Sequence, residues 1–165
     1  EENEIIDLLK KADWNSLNVD YHPPFVERVW RQVGENRLSL HVIHPCEEGE
    51  SLLHPHAWKA AFHVLPIGGI YEQVIARGVI DPLISDKHIF KPYMKMQVKG
   101  EMYYDMTDKE CCHYVRPIDS PVYTVMLSGP SMWSENSIKA NKTLNPLKEE
   151  RVNEILDAFR TFYNF

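Results

Sequence analysis

Cysteine is scarce in this sequence and long apolar runs are missing, and each scarcity excludes a class of protein. Only three cysteines occur among the 165 residues. Because Cys111 and Cys112 are adjacent, the set makes a poor disulfide framework, and we expect reduced thiols in a cytoplasmic protein. No apolar run reaches the roughly 18 residues that cross a bilayer, and no charged and then apolar leader opens the chain. The sequence therefore predicts neither a membrane span nor a signal peptide.

Basic charge is also in deficit, with 18 lysines and arginines against 24 acidic residues and a net charge of -6. A protein that binds the phosphate backbone needs a basic patch or stripe, so nucleic acid is not an expected partner. The hydrophobic content of 44% and the charged content of 25% are ordinary for a globular protein. The length suits one domain with a sizeable core, so we predict a single domain over residues 1–165.

The two ends of the chain carry helical periodicity. Apolar residues recur at helical spacing over about 3–12 and again over 25–33, which predicts a helical N-terminal segment, residues 1–33. Near the other end, Asn145 is suited to cap a helix. The apolar stripe that follows it predicts a C-terminal helix over 145–165, packed on the outside of the domain.

Between those ends the period changes from helical to two. Leu38, Leu40 and Val42 alternate with their neighbours, which is typical of a half-buried strand. Alternation recurs in later segments, with a hairpin signal at Gly68–Gly69. Six or more short strands between helical ends predict a mainly β fold, an antiparallel barrel or jelly roll over residues 34–130.

Histidines carry the strongest chemical signal. His54 and His56 are separated by one residue at the entry to a predicted strand, and residues two apart on extended backbone point the same way. Both imidazoles can therefore reach one metal ion, and His113 follows late in the β region. Imidazole suits iron, zinc, copper and nickel, so residue type alone does not choose the metal.

Two stretches of the β region resemble the two motifs of the cupin superfamily. The first motif is His-x-His followed by Glu and Gly, and it resembles the stretch His54–His56, a strand and then Gly68–Gly69. The second motif starts at a glycine and ends at a metal-binding histidine, as does the stretch Gly100–His113. The resemblance covers about residues 34–130. It implies a cupin jelly-roll barrel, with flanking helices, that holds a divalent metal ion.

The glutamate of the first motif is absent, because alanines stand at positions 60 and 61, near where it would fall. Three histidines remain, and three histidines are the ligand set of the thiol dioxygenases, the cupin branch that includes cysteine dioxygenase. In that family an arginine upstream of the barrel binds the substrate carboxylate, and Arg28 stands at a similar distance before His54. The resemblance thus implies a non-haem Fe(II) dioxygenase. Its substrates would be dioxygen and a small polar molecule, such as a thiol acid, recognised by Arg28.

Further residues could join or line this site. Glu72 becomes a fourth metal ligand if its strand face points inward. Otherwise it is a charged residue at the barrel edge or pairs with an arginine. His63 could line the pocket as a proton donor or as a partner of a ligand, although a hydrogen-bonded core histidine fits as well. Tyr103 and Tyr104 are adjacent on a strand, so one faces in. Tyr103 is our candidate for a hydroxyl that bonds the substrate, with ordinary aromatic packing as the alternative.

Two other functions fit the same residues. A cupin can bind a small ligand or partner without catalysis, because the fold does not decide the function. A zinc or nickel ion would instead suit a metal-dependent isomerase or hydrolase on the same scaffold. Cupins often form dimers, so a homodimer is the oligomer to test.

Overall fold

The computed structural model describes residues 2–51, 53–55, 58–80, 88–108, 111–131 and 144–164. Within these ranges the chain forms two helices and ten strands, and neither helix is both long and apolar enough to cross a membrane. In chain order they are α1 (Glu2–Leu9), β1 (Asn15–Val19), β2 (Val26–Val33), β3 (Asn36–Ile43), β4 (His54–Pro55), β5 (Trp58–Gly68), β6 (Tyr71–Ile80), β7 (His88–Val98), β8 (Met102–Met106), β9 (Cys111–Pro117), β10 (Val122–Ser131) and α2 (Glu149–Phe162).

The strands form two antiparallel sheets. The first sheet has six strands in the order β1-β2-β3-β10-β5-β8, and the second has four in the order β4-β9-β6-β7. From β3 onward the chain passes from one sheet to the other at almost every connection, and only the β6–β7 hairpin stays within one sheet. This alternation is the connectivity of a double-sheet jelly roll, as the sequence predicts.

The six-stranded sheet separates two cores. Its outer face is covered by both helices, and a cluster of buried side chains packs there. The cluster consists of Leu9, Val29, Leu38, Leu40, Val42, Leu65, Val125, Ile155, Leu156, Phe159 and Tyr163. The inner face of the sheet packs against the four-stranded sheet through two smaller clusters, one around Phe62 and one around Val64. The C-terminal helix therefore lies outside the barrel, as predicted.

The N-terminal segment contains more strand than helix. The first helix ends at Leu9, and the residues predicted as a second helix over 25–33 form β2, which pairs with β1 and β3. That prediction was wrong because Val26, Val29, Trp30 and Val33 follow helical spacing, whereas pairing with two neighbouring strands overrides this local pattern. The predicted cap was also wrong. Asn145 forms an isolated bridge with Asn18, and the last helix begins at Glu149.

An ion pair anchors α2 to the outer face of the sheet. The Nε and Nη2 groups of Arg151 donate to the two carboxylate oxygens of Glu27 on β2, at 2.8 and 2.7 Å. His44 Nε2 lies 2.8 Å from the same carboxylate. The hydrogen-bonded Arg151 guanidinium holds the pKa of Glu27 below its ordinary value, which stabilises the contact between helix and sheet.

Candidate metal centre

Strand pairing brings together the backbone positions of two predicted metal ligands. His54 on β4 lies directly opposite His113 on β9. Side chains at directly opposed positions of an antiparallel pair leave the same face of the sheet, with Cβ atoms about 4.5–5.5 Å apart. Two imidazoles that start from such positions can reach one ion, since metal–imidazole bonds are about 2.0–2.1 Å long.

His113 faces the interior of the barrel, as the metal-site prediction requires. Its ring centroid lies 6.3 Å from that of Phe62, which belongs to the inner face of the opposite sheet. On its other side it lies opposite Ile75 of β6. Cys111 points to the same face two residues earlier, and its sulfur lies 3.3 Å from the Tyr93 hydroxyl. The Cys111 thiol therefore lies on the same inner face as His113, whereas Tyr93, which contacts it, is 59% exposed.

The prediction for His56 and for the side chain of His54 lies outside the described part of the chain. Among the side chains that the structure describes, no group of three histidine, cysteine or carboxylate side chains gathers as a ligand set. The three-histidine site therefore stays a prediction. The support for it is the pairing of the His54 and His113 backbones and the inward direction of His113.

A cavity of about 250 Å³ opens beside His113. Arg28 of β2 contributes to its wall, as do Tyr21 and His22 from the turn that precedes that strand. Because β2 pairs with β3 inside the six-stranded sheet, Arg28 is carried to the inner face although the sequence predicts a helix here. The arginine that the resemblance assigns to substrate recognition thus shares one cavity with a predicted metal ligand.

A buried histidine holds Arg28 in place. Arg28 Nε donates to His41 Nε2 on β3 at 2.9 Å, and His41 Nδ1 lies 3.2 Å from the Thr124 hydroxyl on β10. Burial lowers the pKa of Arg28 to about 10, and the positive charge of Arg37 acts in the same direction. At neutral pH the Arg28 guanidinium still carries its full charge.

The charge of Arg28 meets no carboxylate in the described part of the molecule, where its hydrogen-bond partner is the imidazole of His41. Burial, reinforced by the charges of Arg28 and Arg37, lowers the pKa of His41 well below its ordinary value, so this partner is neutral. A guanidinium that lines a cavity without a counter-ion favours the binding of an anionic group.

His63 and Tyr103 do not line this cavity, which corrects the sequence-based expectation for both. They lie opposite each other on β5 and β8, and their rings stack with centroids 4.0 Å apart. His63 Nδ1 lies 3.0 Å from the Tyr163 hydroxyl next to α2, and Tyr103 is 62% exposed. Both therefore belong to the outer face of the six-stranded sheet. The inward tyrosine is Tyr104, whose hydroxyl lies 2.7 Å from that of Tyr71.

Glu72 also faces away from the predicted metal position, so its prediction as a fourth ligand is wrong. It lies opposite Arg116 on β9, and His113 is three residues before Arg116 and therefore on the other face of the strand. The Glu72 carboxylate lies 2.8 Å from Lys95 Nζ and 3.6 Å from Arg116 Nη2. The contact with Arg116 matches the arginine pairing that the sequence leaves open, and the nearer partner, Lys95, is not predicted.

Sequence reasoning passes over His41, although it alternates with Leu40 and Val42 on a predicted strand. The alternation of side chains between the two faces of the strand could identify it. Leu40 and Val42 belong to the apolar cluster under the helices, so the residue between them must face the interior. Thr124 carries no comparable signal, because its partner lies 83 residues away in the chain.

No known family profile matches this sequence, and no curated protein sequence is significantly similar to it.

Solved structures share the fold. Hydroxypropylphosphonic acid epoxidase (HppE) from S. wedmorenis has a TM-score of 0.51 and 7% sequence identity, covering 70% of this chain and 55% of that one. Fe(II)-HppE with the alternative substrate (S)-1-HPP has a TM-score of 0.53 and 8% identity, covering 70% and 56%. KdgF from Halomonas sp. has a TM-score of 0.44 and 10% identity, covering 77% and 94%. The chain spans slightly more than half the length of HppE. The strand order and the likeness to HppE establish a mainly β jelly roll with a helix at each end.

Proposed function

We propose that this chain is a metal-binding cupin enzyme, a non-haem Fe(II) dioxygenase that acts on a small anionic substrate such as a thiol acid. One observation carries the proposal: the charged Arg28 and the inward-facing His113 line the same small cavity. The backbone of His54 lies directly opposite that of His113, which supports it. HppE, which shares the fold, has been solved with Fe(II), which is consistent with this choice of metal.

The proposed ligands are His54, His56 and His113. Their imidazoles suit Fe(II), and they also accept zinc or nickel, which would point to an isomerase or hydrolase instead. When bound, Fe(II) would supply the dioxygen chemistry that protein side chains do not provide. The chain itself contributes binding, orientation and exclusion of water in a cavity walled by Arg28 and the turn at Tyr21.

Arg28 is the proposed substrate anchor. A guanidinium presents a planar fork of donors that can hold a carboxylate through two parallel hydrogen bonds. An anchor of this kind places the rest of the substrate relative to the metal position, which contributes more to rate than affinity alone. The cavity of about 250 Å³ is smaller than the roughly 300–1,000 Å³ of drug-sized sites, so the substrate has few heavy atoms.

The test of the anchor is an Arg28→Ala variant titrated with cysteine and with 3-mercaptopropionate. We expect the affinity for the bound thiol acid to fall by about 30-fold or more, the loss typical of one partner of a buried charge pair. Arg31→Ala is the matched control, because Arg31 lies three residues along β2 on the opposite face and donates to the Ala12 carbonyl at 3.0 Å. Equal binding by wild type and Arg28→Ala would remove the proposed role.

The metal content of the purified protein tests the reaction class. Iron, together with oxygen consumption that depends on a thiol acid, supports the dioxygenase. Zinc or nickel without oxygen consumption would contradict it in favour of an isomerase or hydrolase. A protein that binds the anion but no metal would be a ligand-binding cupin without this activity.

A further inference from the structure

We propose that His41 is a positioning residue for Arg28, a neutral imidazole that fixes the guanidinium while leaving its positive charge uncompensated. The assignment rests on the proposed function in one respect, namely that Arg28 receives the anionic group of the substrate. Arg28, His41 and Thr124 occupy directly opposed positions on β2, β3 and β10. They form a hydrogen-bonded row across three adjacent strands on the inner face of the sheet.

The directions of the hydrogen bonds fix the tautomer of His41. A guanidinium nitrogen can only donate, so His41 Nε2, 2.9 Å from Arg28 Nε, must be the acceptor. A neutral imidazole that accepts at Nε2 carries its proton on Nδ1. That N–H donates to the Thr124 hydroxyl oxygen at 3.2 Å. A doubly protonated imidazole would direct an N–H at the guanidinium, so the row requires the neutral form.

The row is buried and therefore well placed to orient a side chain. His41 is 5% exposed and Thr124 is 2% exposed. His41 holds Arg28 through Nε. The terminal Nη1 and Nη2 groups make no hydrogen bond to the residues that the structure describes. These two groups form the fork that binds a carboxylate, and Arg28 lines the cavity beside His113.

A neutral acceptor has a specific advantage over a carboxylate at this position. A carboxylate would hold Arg28 as firmly, but it would also neutralise the guanidinium, as Glu27 does for Arg151 on the outer face. With His41 as the acceptor, the unfavourable burial of the charge is relieved only when an anion enters the cavity. His41 thereby makes the cavity selective for anions.

The test compares two substitutions of nearly equal shape and different charge, His41→Gln and His41→Glu, in the full chain. Gln can place an amide oxygen near the position of Nε2. We therefore expect the affinity for 3-mercaptopropionate, measured by titration calorimetry at neutral pH, to stay within about threefold of wild type. Glu should form an ion pair with Arg28 and weaken binding by about 10-fold or more. A merely structural role for His41 would affect both variants alike, so equal affinities would overturn the proposal.

A second measurement needs neither ligand nor metal. Nitrogen-15 NMR of the wild type should show an imidazole with its proton on Nδ1 and an unprotonated Nε2, and this signal should vanish in His41→Gln. Its disappearance assigns the signal to His41 and not to His22, whose Nδ1 donates to the Pro23 carbonyl at 2.8 Å. A proton on Nε2 of His41 would overturn the assignment. If the tautomer is as stated but the wild type binds none of formate, cysteine and 3-mercaptopropionate, the proposed substrate class fails while the orienting row of Arg28, His41 and Thr124 stands.

Discussion

Two consecutive residues of β2, Glu27 and Arg28, face opposite sides of the six-stranded sheet and meet opposite electrostatic environments. Glu27 lies under α2 and receives two hydrogen bonds from Arg151, so an anion and a cation compensate each other. Arg28 faces the barrel interior, where its hydrogen-bond partner His41 is uncharged. The pKa of Arg151 is raised by its carboxylate partner, whereas the pKa of Arg28 is lowered by burial.

The difference shows how one strand can meet two unrelated requirements. Because alternate residues leave opposite faces, outer residues such as Val29 of β2 and Leu40 of β3 join the apolar core under the helices. The inner positions are free to hold polar groups whose arrangement costs stability and serves a ligand. Under the proposed function, stability and ligand binding depend on different faces of one sheet, so substitutions on the two faces should have separable effects.

The largest expected effect comes from the outer core. Phe159 of α2 is fully buried, with its ring centroid 5.9 Å from that of Tyr123. Phe159→Ala should lower the free energy of unfolding by about 3–5 kcal/mol, because it removes buried apolar surface and leaves a cavity. Denaturant unfolding measures this loss. The folded fraction should bind metal and anion as the wild type does, since Phe159 is separated from the cavity by the sheet.

Leu127→Ala is the control for that substitution. Leu127 lies on the same outer face but is 44% exposed, so its truncation should change the unfolding free energy by only about 0.5 kcal/mol. If folded Phe159→Ala lost affinity for metal or anion, the two faces would not be independent.

Two histidines supply the next largest effect: His113 of the four-stranded sheet faces the barrel interior, and His63 lies on the outer face of the six-stranded sheet. His113→Ala should weaken metal binding by at least about 100-fold, more than the loss of a residue that only supports a ligand. His63→Ala should leave metal binding unchanged. It should lower the unfolding free energy of the metal-free protein by about 1–2 kcal/mol, because His63 is hydrogen-bonded to the Tyr163 hydroxyl. Competition with a chromophoric chelator and denaturant unfolding measure the two quantities. Similar loss of metal affinity in both variants would contradict the assignment of faces.

The sequence predicts the strands of this fold better than the faces they present. Strand β5 is buried on both sides, with Phe62 in the inner core and Leu65 in the outer core, so its sequence shows no alternation. Ala61 is small and equally compatible with either side. A shift of one residue in parity moves every side chain of a strand to the other face. That ambiguity leaves His63 a candidate for the barrel interior. The same ambiguity between Tyr103 and Tyr104 is resolved by the pairing of β8 with β5, which places Tyr103 opposite His63.

In the candidate site, too, features that depend on local sequence can be predicted and features that depend on strand pairing cannot. The histidine motif and the position of Arg28 can be predicted because they depend on local spacing and on a family resemblance. The role of His41 cannot, because it depends on the register of three strands, one of which comes 83 residues later in the chain. Residues 25–33 were predicted as a helix and form a strand instead. The prediction that Arg28 lies near the site is unaffected, because the strand carries Arg28 to the inner face.

The smallest effect we predict tests the compensated pair on the outer face. Glu27→Gln should lower the unfolding free energy by about 1–2 kcal/mol at neutral pH, less than for a fully buried pair because Arg151 is 35% exposed. The folded-state pKa of Glu27 is depressed, so its contribution is present above the unfolded pKa and is lost as the pH falls through the folded value. The stabilities of wild type and variant should therefore converge in acid.

Asp157→Asn on the same helix is the control. It removes an exposed ion pair with Arg160 and should lower the unfolding free energy by about 0.5 kcal/mol or less. A Glu27→Gln difference that persists unchanged in acid would mean that the contact acts through packing and not through charge.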